Sequence, residues 1–506
     1  MNTETLRDAV ARHAAARPDA PFLFAPETGR VLTYAELLRQ AHLLARFLDA
    51  TGLKKGDKVG LFLHNAYQTA VLFLGSMLGA YVCAPFNLLA QRSQLAYLLA
   101  HSDCKVLFTA REYEARVAEA LPRTGGPEAI IIDPDAPELF LANRLAQFTP
   151  RSPAAHDPAL LMYTSGTTGI PKGALLTHAN LVASARSVSQ WHELGPGDRV
   201  LSALPLYHIN GQCIATVSTL YSGGAIVLPH RFSVREWWDL VDRYQVTWIN
   251  MVPTNIAYLL NAAAQGSCRS HNHVRFGRSA SAPLPAEQHR AFELTFGIPV
   301  IEAMGMTECA STVFANPQDP ARRKYGSPGV PCGVEAKVVD AQGRELSVGE
   351  AGEILLRGPN VMLGYYKAPE LTRQAIDRGG WLRSGDLGYR DADGYYFITG
   401  RLKELIIKGG ENIAPREIDE VLLKHPAVLE AAAVGVPDAD YGQEIFACVV
   451  LKPGQQCTEA ELRELCLNEL GKYKTPKRIR LLDELPKGPS GKVQRLKLVS
   501  AASGYV

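Results

Sequence analysis

The sequence predicts an α/β fold in which a large N-terminal domain, made of two layered α/β subdomains and a small β-rich unit, precedes a small α+β domain. Three observations predict it. The 506 residues exceed the length that one hydrophobic core usually serves. Short apolar strands alternate with amphipathic helices in two stretches of the first 300 residues. After residue 400 the pattern changes, so we place residues 1–400 in the first domain and residues 401–506 in the second.

The first α/β stretch contains a clear helix and two clear strands. Residues 32–50 (LTYAELLRQAHLLARFLDA) carry apolar side chains at helical spacing. Residues 58–63 and 105–110 are short runs rich in Val, Leu and Phe, which is typical of buried strands. The uncharged run 66–86 is interrupted by Gly75, Gly79 and Pro85, and therefore predicts a buried helix that leads into a buried strand rather than a membrane span.

The second α/β stretch repeats the pattern with a strand at 225–229, a helix at 233–245 and a strand at 246–253. Residues 326–399 are rich in Gly and short strands, which predicts the β-rich unit. The last hundred residues alternate amphipathic helices (415–426 and 458–473) with strands (430–438 and 444–453). That length is enough for a small independent domain.

Composition excludes several classes of protein. A net charge of +2 argues against a dedicated nucleic-acid binder or a polybasic membrane binder. The nine cysteines form no CxxC pair, so we expect reduced thiols in a cytoplasmic protein. The N-terminus lacks the basic and apolar segments of a signal peptide. We expect a monomer or a homodimer.

The stretch YTSGTTGIPKG, residues 163–173, combines glycines, hydroxyl side chains and one lysine. Backbone N–H groups of a Gly-rich turn can converge on a phosphate, and hydroxyls and Lys172 add donors and charge. The spacing does not fit the Walker pattern. Composition alone leaves a plain surface loop as an equal alternative.

The order of residues in this stretch resembles the phosphate-binding signature of the adenylate-forming (ANL) superfamily of acyl-CoA synthetases, peptide-synthetase adenylation domains and luciferases. Further motifs of that family follow in the family's order across almost the whole chain. They are LPLYHINGQ (204–212), SASAPL (279–284), MGMTE (304–308), WLRSGDLG (381–388), GRLKELIIKGGENIAPREIDE (400–420) and PKGPSGKVQR (486–495). The chain is therefore identified as a member, most similar to the stand-alone AMP-forming acid–CoA ligases.

The resemblance implies that ATP, Mg²⁺ and coenzyme A are used, and it implies a nucleotide site. Its implied residues are Thr164, Ser165, Gly166, Thr167, Thr168, Gly169 and Lys172 for the β- and γ-phosphates, Thr307 for the α-phosphate, Glu308 for Mg²⁺, Asp386 for the ribose, Arg401 beside it, and Ser281, Ala282, Pro283, Met304, Gly305, Met306 and Ile398 as further nucleotide contacts. Met304 departs from the family, which usually has an aromatic residue there to stack on adenine. Ser384 stands where Thr is usual.

Catalysis is implied for Lys492, together with Thr307 and His208. Lys492 would lie near the attacking carboxylate and the α-phosphate during acyl-adenylate formation. The resemblance also implies that the small domain is mobile, that it rotates about Lys403 between the two half-reactions, and that Gly409 then lines the tunnel for the pantetheine arm. Judged without the resemblance, Lys492 reads as a solvated basic residue and the KGG turn at 408–410 as an ordinary hairpin.

The acid pocket is inferred from motif position, and its candidate residues are His208, Asn210, Gly211, Gln212, Val252, Arg278, Ala303 and Met304. These residues are unusually polar for a fatty-acid or cinnamate pocket. Arg278 could pair with a second anionic group on a short acid, or it could form a structural salt bridge at a strand end. The pattern resembles the branch that includes oxalyl- and other small-acid ligases. We therefore expect a small polar acid, with a medium-chain or aryl acid as the alternative.

The acceptor is expected to be free coenzyme A, because no carrier-protein or condensation segment follows the lysine motif. A stand-alone adenylating enzyme that passes its acyl group to a carrier protein or an amine is the alternative. A non-catalytic relative would be expected to lose Lys492 or Glu308, and both residues are present.

Overall fold

The computed structural model describes residues 4–122, 124–138, 151–164, 171–264, 273–487 and 493–501. The strands run, in chain order, β1 (Pro21–Ala25), β2 (Arg30–Thr33), β3 (Lys58–Phe62), β4 (Val82–Pro85), β5 (Cys104–Ala110), β6 (Glu128–Ile132), β7 (Pro158–Thr164), β8 (Lys172–Thr177), β9 (Arg199–Leu201), β10 (Ala225–Val227), β11 (Trp248–Met251), β12 (Phe276–Ser279), β13 (Val300–Met306), β14 (Ser311–Ala315), β15 (Val330–Pro331), β16 (Glu335–Val339), β17 (Gly352–Arg357), β18 (Gly364–Tyr365), β19 (Leu382–Arg390), β20 (Tyr396–Arg401), β21 (Ile406–Lys408), β22 (Glu411–Ile413), β23 (Val428–Asp438), β24 (Gly442–Leu451) and β25 (Arg478–Leu481).

The α-helices are α1 (Leu6–Ala16), α2 (Tyr34–Ala50), α3 (Tyr67–Leu78), α4 (Arg92–His101), α5 (Glu114–Ala120), α6 (His178–Trp191), α7 (Ser218–Ser222), α8 (Trp237–Arg243), α9 (Pro253–Ala263), α10 (Ala286–Phe296), α11 (Pro369–Ala375), α12 (Pro415–Leu423), α13 (Glu459–Lys474) and α14 (Arg495–Ala501). Short 3₁₀ turns span Arg111–Tyr113, Thr307–Cys309 and Pro320–Arg322, and a π-helix spans Asn210–Val217.

Two large sheets form the body of the N-terminal domain. One has nine strands in the order β15-β14-β13-β12-β11-β9-β10-β1-β2, and the other has seven in the order β18-β8-β7-β4-β3-β5-β6. The central strands of both pair in parallel, and antiparallel strands lie at the edges. This is the doubled α/β arrangement that the strand and helix patterns predict.

Helices pack around these sheets as their apolar faces require. α2 begins at Tyr34 because the Thr33 side chain accepts the Glu36 backbone N–H and caps the first turn. α3 is buried on every side and leads into the buried strand β4, which confirms the prediction for residues 66–86. α8 is shorter than predicted, since only Trp237–Arg243 of the run 233–245 is helical. Over the described residues, no helix is both long and apolar enough to cross a bilayer.

The β-rich unit is a four-stranded antiparallel sheet in the order β16-β17-β19-β20, as predicted. The smaller C-terminal part pairs β23 with β24 and β25, adds the β21–β22 hairpin, and buries Ile418, Ile445 and Leu462 against these strands. The Arg416 guanidinium donates to the Ile398 carbonyl oxygen at 2.6 Å and so links α12 to β20. The division at residue 400 falls one residue before the end of β20, and it stays a prediction.

Candidate active site

The phosphate-loop stretch is held at its two ends by an antiparallel pair of strands. Thr164 ends β7, Lys172 begins β8, and the two residues are register partners. The Tyr163 hydroxyl lies 2.8 Å from His101 Nδ1, and this contact holds the end of β7 in place. The predicted phosphate contacts between these ends, Ser165, Gly166, Thr167, Thr168 and Gly169, lie outside the described residues.

Tyr365 places Glu308 next to the β7–β8 pair. The Tyr365 hydroxyl donates to Glu308 Oε1 at 2.9 Å. The Lys172 ammonium lies 5.1 Å from the centroid of the same ring. β18, which carries Tyr365, pairs with β8, and the Met362 N–H donates to the Glu308 carbonyl oxygen at 2.7 Å. The structure thus joins two motifs that are 136 positions apart in the chain, and it leaves a half-buried carboxylate of the kind that Mg²⁺ prefers.

Asp386 presents a buried carboxylate oxygen that has no partner in the described chain. Its Oδ1 accepts from Arg401 Nε at 2.7 Å across the β19–β20 pair, and this carboxylate is the main cause that raises the pKa of Arg401. Its Oδ2 is buried without a hydrogen bond. A buried acceptor of this kind calls for a donor. Ribose hydroxyls are suitable donors, so the residue fits its predicted role.

The adenine-side motifs end neighbouring strands. β12 and β13 pair in parallel, with Ser279 opposite Glu302. Ser281 comes two residues after Ser279, and Met304 comes two residues after Glu302. Ser281 has a φ of +76°, which is uncommon for a residue other than glycine. A Cβ on Gly305 would lie 2.4 Å from the Ser311 carbonyl oxygen, so this position requires glycine. Met304 is half-buried against the core.

The remaining residues predicted to contact the nucleotide lie in these two turns, in the short 3₁₀ turn that follows β13, and on β20. Ala282 is half-buried and Pro283 exposed in the turn after β12, and Met306 ends β13. Thr307 opens the short 3₁₀ turn that carries Glu308. Ile398 lies on β20, three residues before Arg401, and its carbonyl accepts from the C-terminal part.

The His208 loop leads directly into the π-helix, a feature frequent at functional sites. Burial lowers the pKa of His208 to about 4, so its imidazole is neutral near pH 7. Its Nδ1 accepts from the Asn210 N–H at 3.5 Å. A Cβ on Gly211 would lie 2.6 Å from the Pro205 carbonyl oxygen, so glycine is required there. The buried Gln212 amide donates to the Leu206 carbonyl oxygen at 2.6 Å and holds the loop in place.

Val252 and Ala303 complete the predicted pocket, and both are buried. Val252 follows β11 and precedes the first turn of α9. Ala303 packs with Ala280, Ala315 and Cys332 in a cluster of small side chains.

Arg278 is fully buried among neutral polar groups. Its Nη1 donates to Asn210 Oδ1 at 3.3 Å and its Nη2 to Thr312 Oγ1 at 2.9 Å, while Nε has no partner in the described chain. The Asn250 amide donates to the same Asn210 oxygen at 3.1 Å. The Asn210 amide in turn donates to Ser281 Oγ at 3.0 Å. These contacts join the acid pocket to the adenine-side turn.

The charge of Arg278 is not compensated by any neighbour that the structure describes. Among the described residues no carboxylate forms an ion pair with it, so the alternative of a structural salt bridge is not found. Burial lowers the pKa of Arg278 to about 10, which still leaves it a cation near pH 7. Burial and this cation lower the pKa of His192 well below its ordinary range, so His192 is neutral.

Three residues of the site were missed by sequence reasoning. Asn250 is the register partner of Arg278. It is the one polar residue in the apolar run WINM, and this could have marked it as a site residue. Thr312 is 34 positions away from Arg278, and Tyr365 is 57 away from Glu308. Nothing in the local sequence identifies these two as partners.

The C-terminal motifs lie around one hairpin and one turn. Lys403 is exposed in the turn between β20 and β21. Lys492 lies outside the described residues, and Arg495 beyond it forms ion pairs with Asp419 and with Glu404. Gly409 has a φ of +55°, and a Cβ on it would lie 3.2 Å from the Tyr473 hydroxyl and 3.3 Å from the Tyr441 ring.

The fold and the placement of these motifs fit an adenylate-forming enzyme. Comparison with known proteins agrees: the AMP-binding enzyme family matches residues 10–366, and the AMP-binding enzyme C-terminal domain matches residues 417–492. The chain belongs to the AMP-binding enzyme family.

Its similar relatives include CoA ligases for small acids. The chain is 53% identical to a sulfoacetate–CoA ligase of Cupriavidus necator, over 99% of this chain and 98% of the relative. It is 36% identical to an oxalate–CoA ligase of Arabidopsis thaliana, over 89% of each. The ATP-bound MatB of Rhodopseudomonas palustris superposes with a TM-score of 0.90 at 32% identity, covering 99% of this chain and 100% of that one.

The predicted fold class and enzyme class are therefore confirmed. The protein is an AMP-forming acid–CoA ligase that uses ATP, Mg²⁺ and coenzyme A.

Proposed function

We propose that this ligase activates a short carboxylic acid that carries a second anionic group, with sulfoacetate as the first candidate. The observation that carries the proposal is the fully buried Arg278 cation, whose described partners are all neutral. The name of the Cupriavidus necator relative supports the choice of a sulfonate.

A buried cation without an anion is costly, and the cost falls when a ligand supplies the anion. A sulfonate or carboxylate at the far end of the acid would accept from the guanidinium. Thr312 and Asn210 already hold both Nη atoms in one plane, so the side chain is positioned before the acid binds. The acid's own carboxylate then points towards the nucleotide, on the side of Ser281.

The first half-reaction forms the acyl-adenylate. The acid carboxylate attacks the α-phosphorus of ATP, and pyrophosphate leaves. We assign the β- and γ-phosphates to Lys172 and to the loop that Thr164 begins, the α-phosphate to Thr307, and the ribose to Asp386. Bound at Glu308, Mg²⁺ would neutralise phosphate charge. Lys492 adds the positive charge that the developing transition state needs.

The second half-reaction transfers the acyl group to the thiol of coenzyme A, and AMP leaves. We infer that residues 401–506 rotate about Lys403 after pyrophosphate leaves, removing Lys492 and bringing the hairpin at Gly409 to the tunnel. Support comes from the exposed turn that carries Lys403 between two separate sheets. We assign His208 to the acid side of the acyl carbonyl group. Its imidazole is neutral and therefore does not repel the Arg278 cation.

The test of acid choice compares sulfoacetate with malonate and with tert-butylacetate, which has the shape of sulfoacetate but an uncharged tert-butyl group in place of the sulfonate. Arg278→Met keeps length and removes charge. We expect kcat/KM for sulfoacetate to fall by roughly 30- to 5,000-fold, corresponding to about 2–5 kcal/mol for loss of a buried charge partner. Malonate should lose activity similarly, while tert-butylacetate should be unchanged or improved.

Arg323→Met is the matched control, because Arg323 is a buried arginine that is paired with the Glu293 carboxylate. It should lower the melting temperature and leave the ratio between the acids unchanged. Equal losses on all three acids in Arg278→Met would contradict the proposal and make Arg278 a structural residue.

Location and assembly are inferred as well. The eight described cysteines are all free thiols, which suits a reducing compartment, and we infer a cytoplasmic enzyme. We also infer a monomer or a homodimer, which light scattering of the purified protein would test.

A further inference from the structure

The junction between the two large sheets holds a group of titratable side chains that the ligase reaction does not use. His64 follows β3 and Asp135 follows β6, both in the seven-stranded sheet, while His230 follows β10 in the nine-stranded sheet. All three residues therefore lie beyond the carboxyl ends of parallel strands. Each side chain is about one-quarter exposed, so the group is reachable from solvent.

The donor atoms of these three residues converge on one point. One ligand atom from each of His64, Asp135 and His230 lies within 4.8 Å of the other two. His230 Nε2 is 3.0 Å from Asp135 Oδ1, and the two imidazole centroids are 4.8 Å apart with the rings tilted by 66°. Rings tilted in this way can direct one nitrogen each to a common ion, and only small side-chain shifts are needed to reach metal–ligand lengths of about 2.0–2.2 Å.

Two further carboxylates support this group. His64 Nδ1 lies 2.9 Å from Glu112 Oε1, which leaves the opposite ring nitrogen to face an ion. A histidine ligand commonly donates its second ring N–H to a carboxylate in this way. Glu27 Oε2 is 3.9 Å from His230 Nε2, close enough to serve as a fourth ligand. Arg30 donates to the backbone oxygen of Asp135 rather than to its carboxylate.

The chemistry of the group suits a transition metal. Two imidazoles with a carboxylate are ligands that zinc and its neighbours take, whereas Mg²⁺ prefers oxygen alone.

We propose that His64, Asp135 and His230 bind a divalent transition-metal ion, with zinc as the first candidate and Glu27 as the fourth ligand. The ion joins the two large sheets, and none of its proposed ligands is a residue assigned to ATP or to the acid. The neighbouring Asn65 side chain holds the loop before His208 without the ion, because it accepts from the Leu206 N–H at 2.8 Å and donates to the Leu204 and Pro229 carbonyl oxygens.

The test uses the full chain, stripped with a chelator and titrated with zinc in the absence of ATP and magnesium. Zinc retained after gel filtration is measured by mass spectrometry, and the melting temperature by scanning calorimetry. We expect the wild type to retain one equivalent and to melt at a higher temperature with zinc. His64→Gln/His230→Gln should bind zinc at least tenfold more weakly, lose the zinc-dependent rise, and keep kcat within about twofold.

Two further variants keep the result decisive. His156→Gln removes an exposed histidine elsewhere and should bind zinc as the wild type does. Asp135→Asn preserves shape and should weaken binding even if the double variant folds poorly. Equal retention by the wild type and Asp135→Asn, or loss of zinc in His156→Gln instead, would overturn the proposal and leave the group as ordinary histidine–carboxylate pairs. Neither outcome bears on acid choice, which the Arg278 test measures separately.

Discussion

The nucleotide side and the acid pocket of this enzyme treat charge in opposite ways. On the nucleotide side, Asp386 is paired with Arg401, and Glu308 accepts from Tyr365, yet each carboxylate keeps an oxygen outside these contacts. In the acid pocket, Arg278 has neutral neighbours only among the described residues. On the nucleotide side one carboxylate is paired with a cation and the other is held by a neutral hydroxyl, whereas the proposed acid pocket contains a cation with neutral neighbours. We infer that the charge of Arg278 is left for the acid to pair with.

The largest effect is expected for Lys492→Ala, which tests the shared half. Adenylate formation from any acid should fall by about 10³-fold or more, because the transition state loses a fixed positive charge. Thioester formation from supplied acyl-adenylate should remain near the wild-type rate. Pyrophosphate release and thioester yield, measured separately, check this.

Lys487→Ala is the control for Lys492, because Lys487 lies in the same motif but forms an ion pair with Glu430. It should change neither half-reaction by more than about threefold, because the Lys487 ammonium is held by Glu430 instead of being available to the substrate. An equal fall of both half-reactions in Lys492→Ala would refute the assignment of two rotational states.

Thr312→Val tests the selective half. It keeps shape but removes the acceptor of Arg278 Nη2, so the guanidinium loses its position. We expect kcat/KM for sulfoacetate to fall by roughly 10- to 100-fold, from about 1.5–3 kcal/mol for a hydrogen bond to a charged group. Tert-butylacetate should lose little. The control is Thr219→Val, which changes a buried threonine remote from Arg278 and should leave activity on both acids unchanged. An equal loss on both acids in Thr312→Val would show that Thr312 does not take part in acid selection.

Gly409 tests the second half-reaction. Leucine there should block thioester formation while sparing pyrophosphate release, but it would also strain a backbone with a φ of +55°. Asparagine tolerates that φ better, and its Cβ still crowds Tyr441 and Tyr473. We expect Gly409→Asn to slow thioester formation by about tenfold, judged from about 1.4 kcal/mol of misplacement.

Gly410→Asn is the matched control, since Gly410 has a φ of +86° and no atom within 4 Å of an added Cβ. It should form thioester at close to the wild-type rate. If the two variants behave alike, backbone strain rather than the tunnel explains the loss.

The smallest effect on activity is expected for Glu302→Gln, which should change stability alone. Burial raises the pKa of Glu302 to about 7 from an ordinary 4.5, so the folded state holds its proton more tightly. Its contribution to stability is therefore present below about pH 4.5 and lost as the pH rises to about 7. Glutamine still accepts from the Leu284 N–H. The variant should melt several degrees higher at pH 8, for at most about 3 kcal/mol, and nearly unchanged at pH 5.

The sequence predicts the two halves of the site to different depths. Motif order alone singles out Asp386, which lies within β19, and Glu308, which comes just after β13, and their roles stay predictions. The partners of Arg278 are not, because Asn250 and Thr312 come from other strands and depend on the register of β11 and β14. Hydrophobic patterning predicts that strands are buried, but it does not determine which polar side chains then face each other.

Some predictions of the same kind concern positions beyond the described chain. Lys492 and the loop 165–169 follow from motif order alone, and their roles stay predictions. Met304 stands where the family usually has an aromatic residue. It is half-buried, two residues beyond the last parallel pair of β12 and β13. Its flexible thioether can adapt to the adenine ring.

The end of β20 at Arg401 has a consequence for the timing of the catalytic cycle. Arg401 holds Asp386 and stands two positions before Lys403, so one ion pair serves both the ribose and the fixed side of the proposed pivot. We expect a bound nucleotide to stiffen the pivot and its departure to loosen it. AMP would then leave last, and the enzyme would return to its starting arrangement only when the nucleotide has gone.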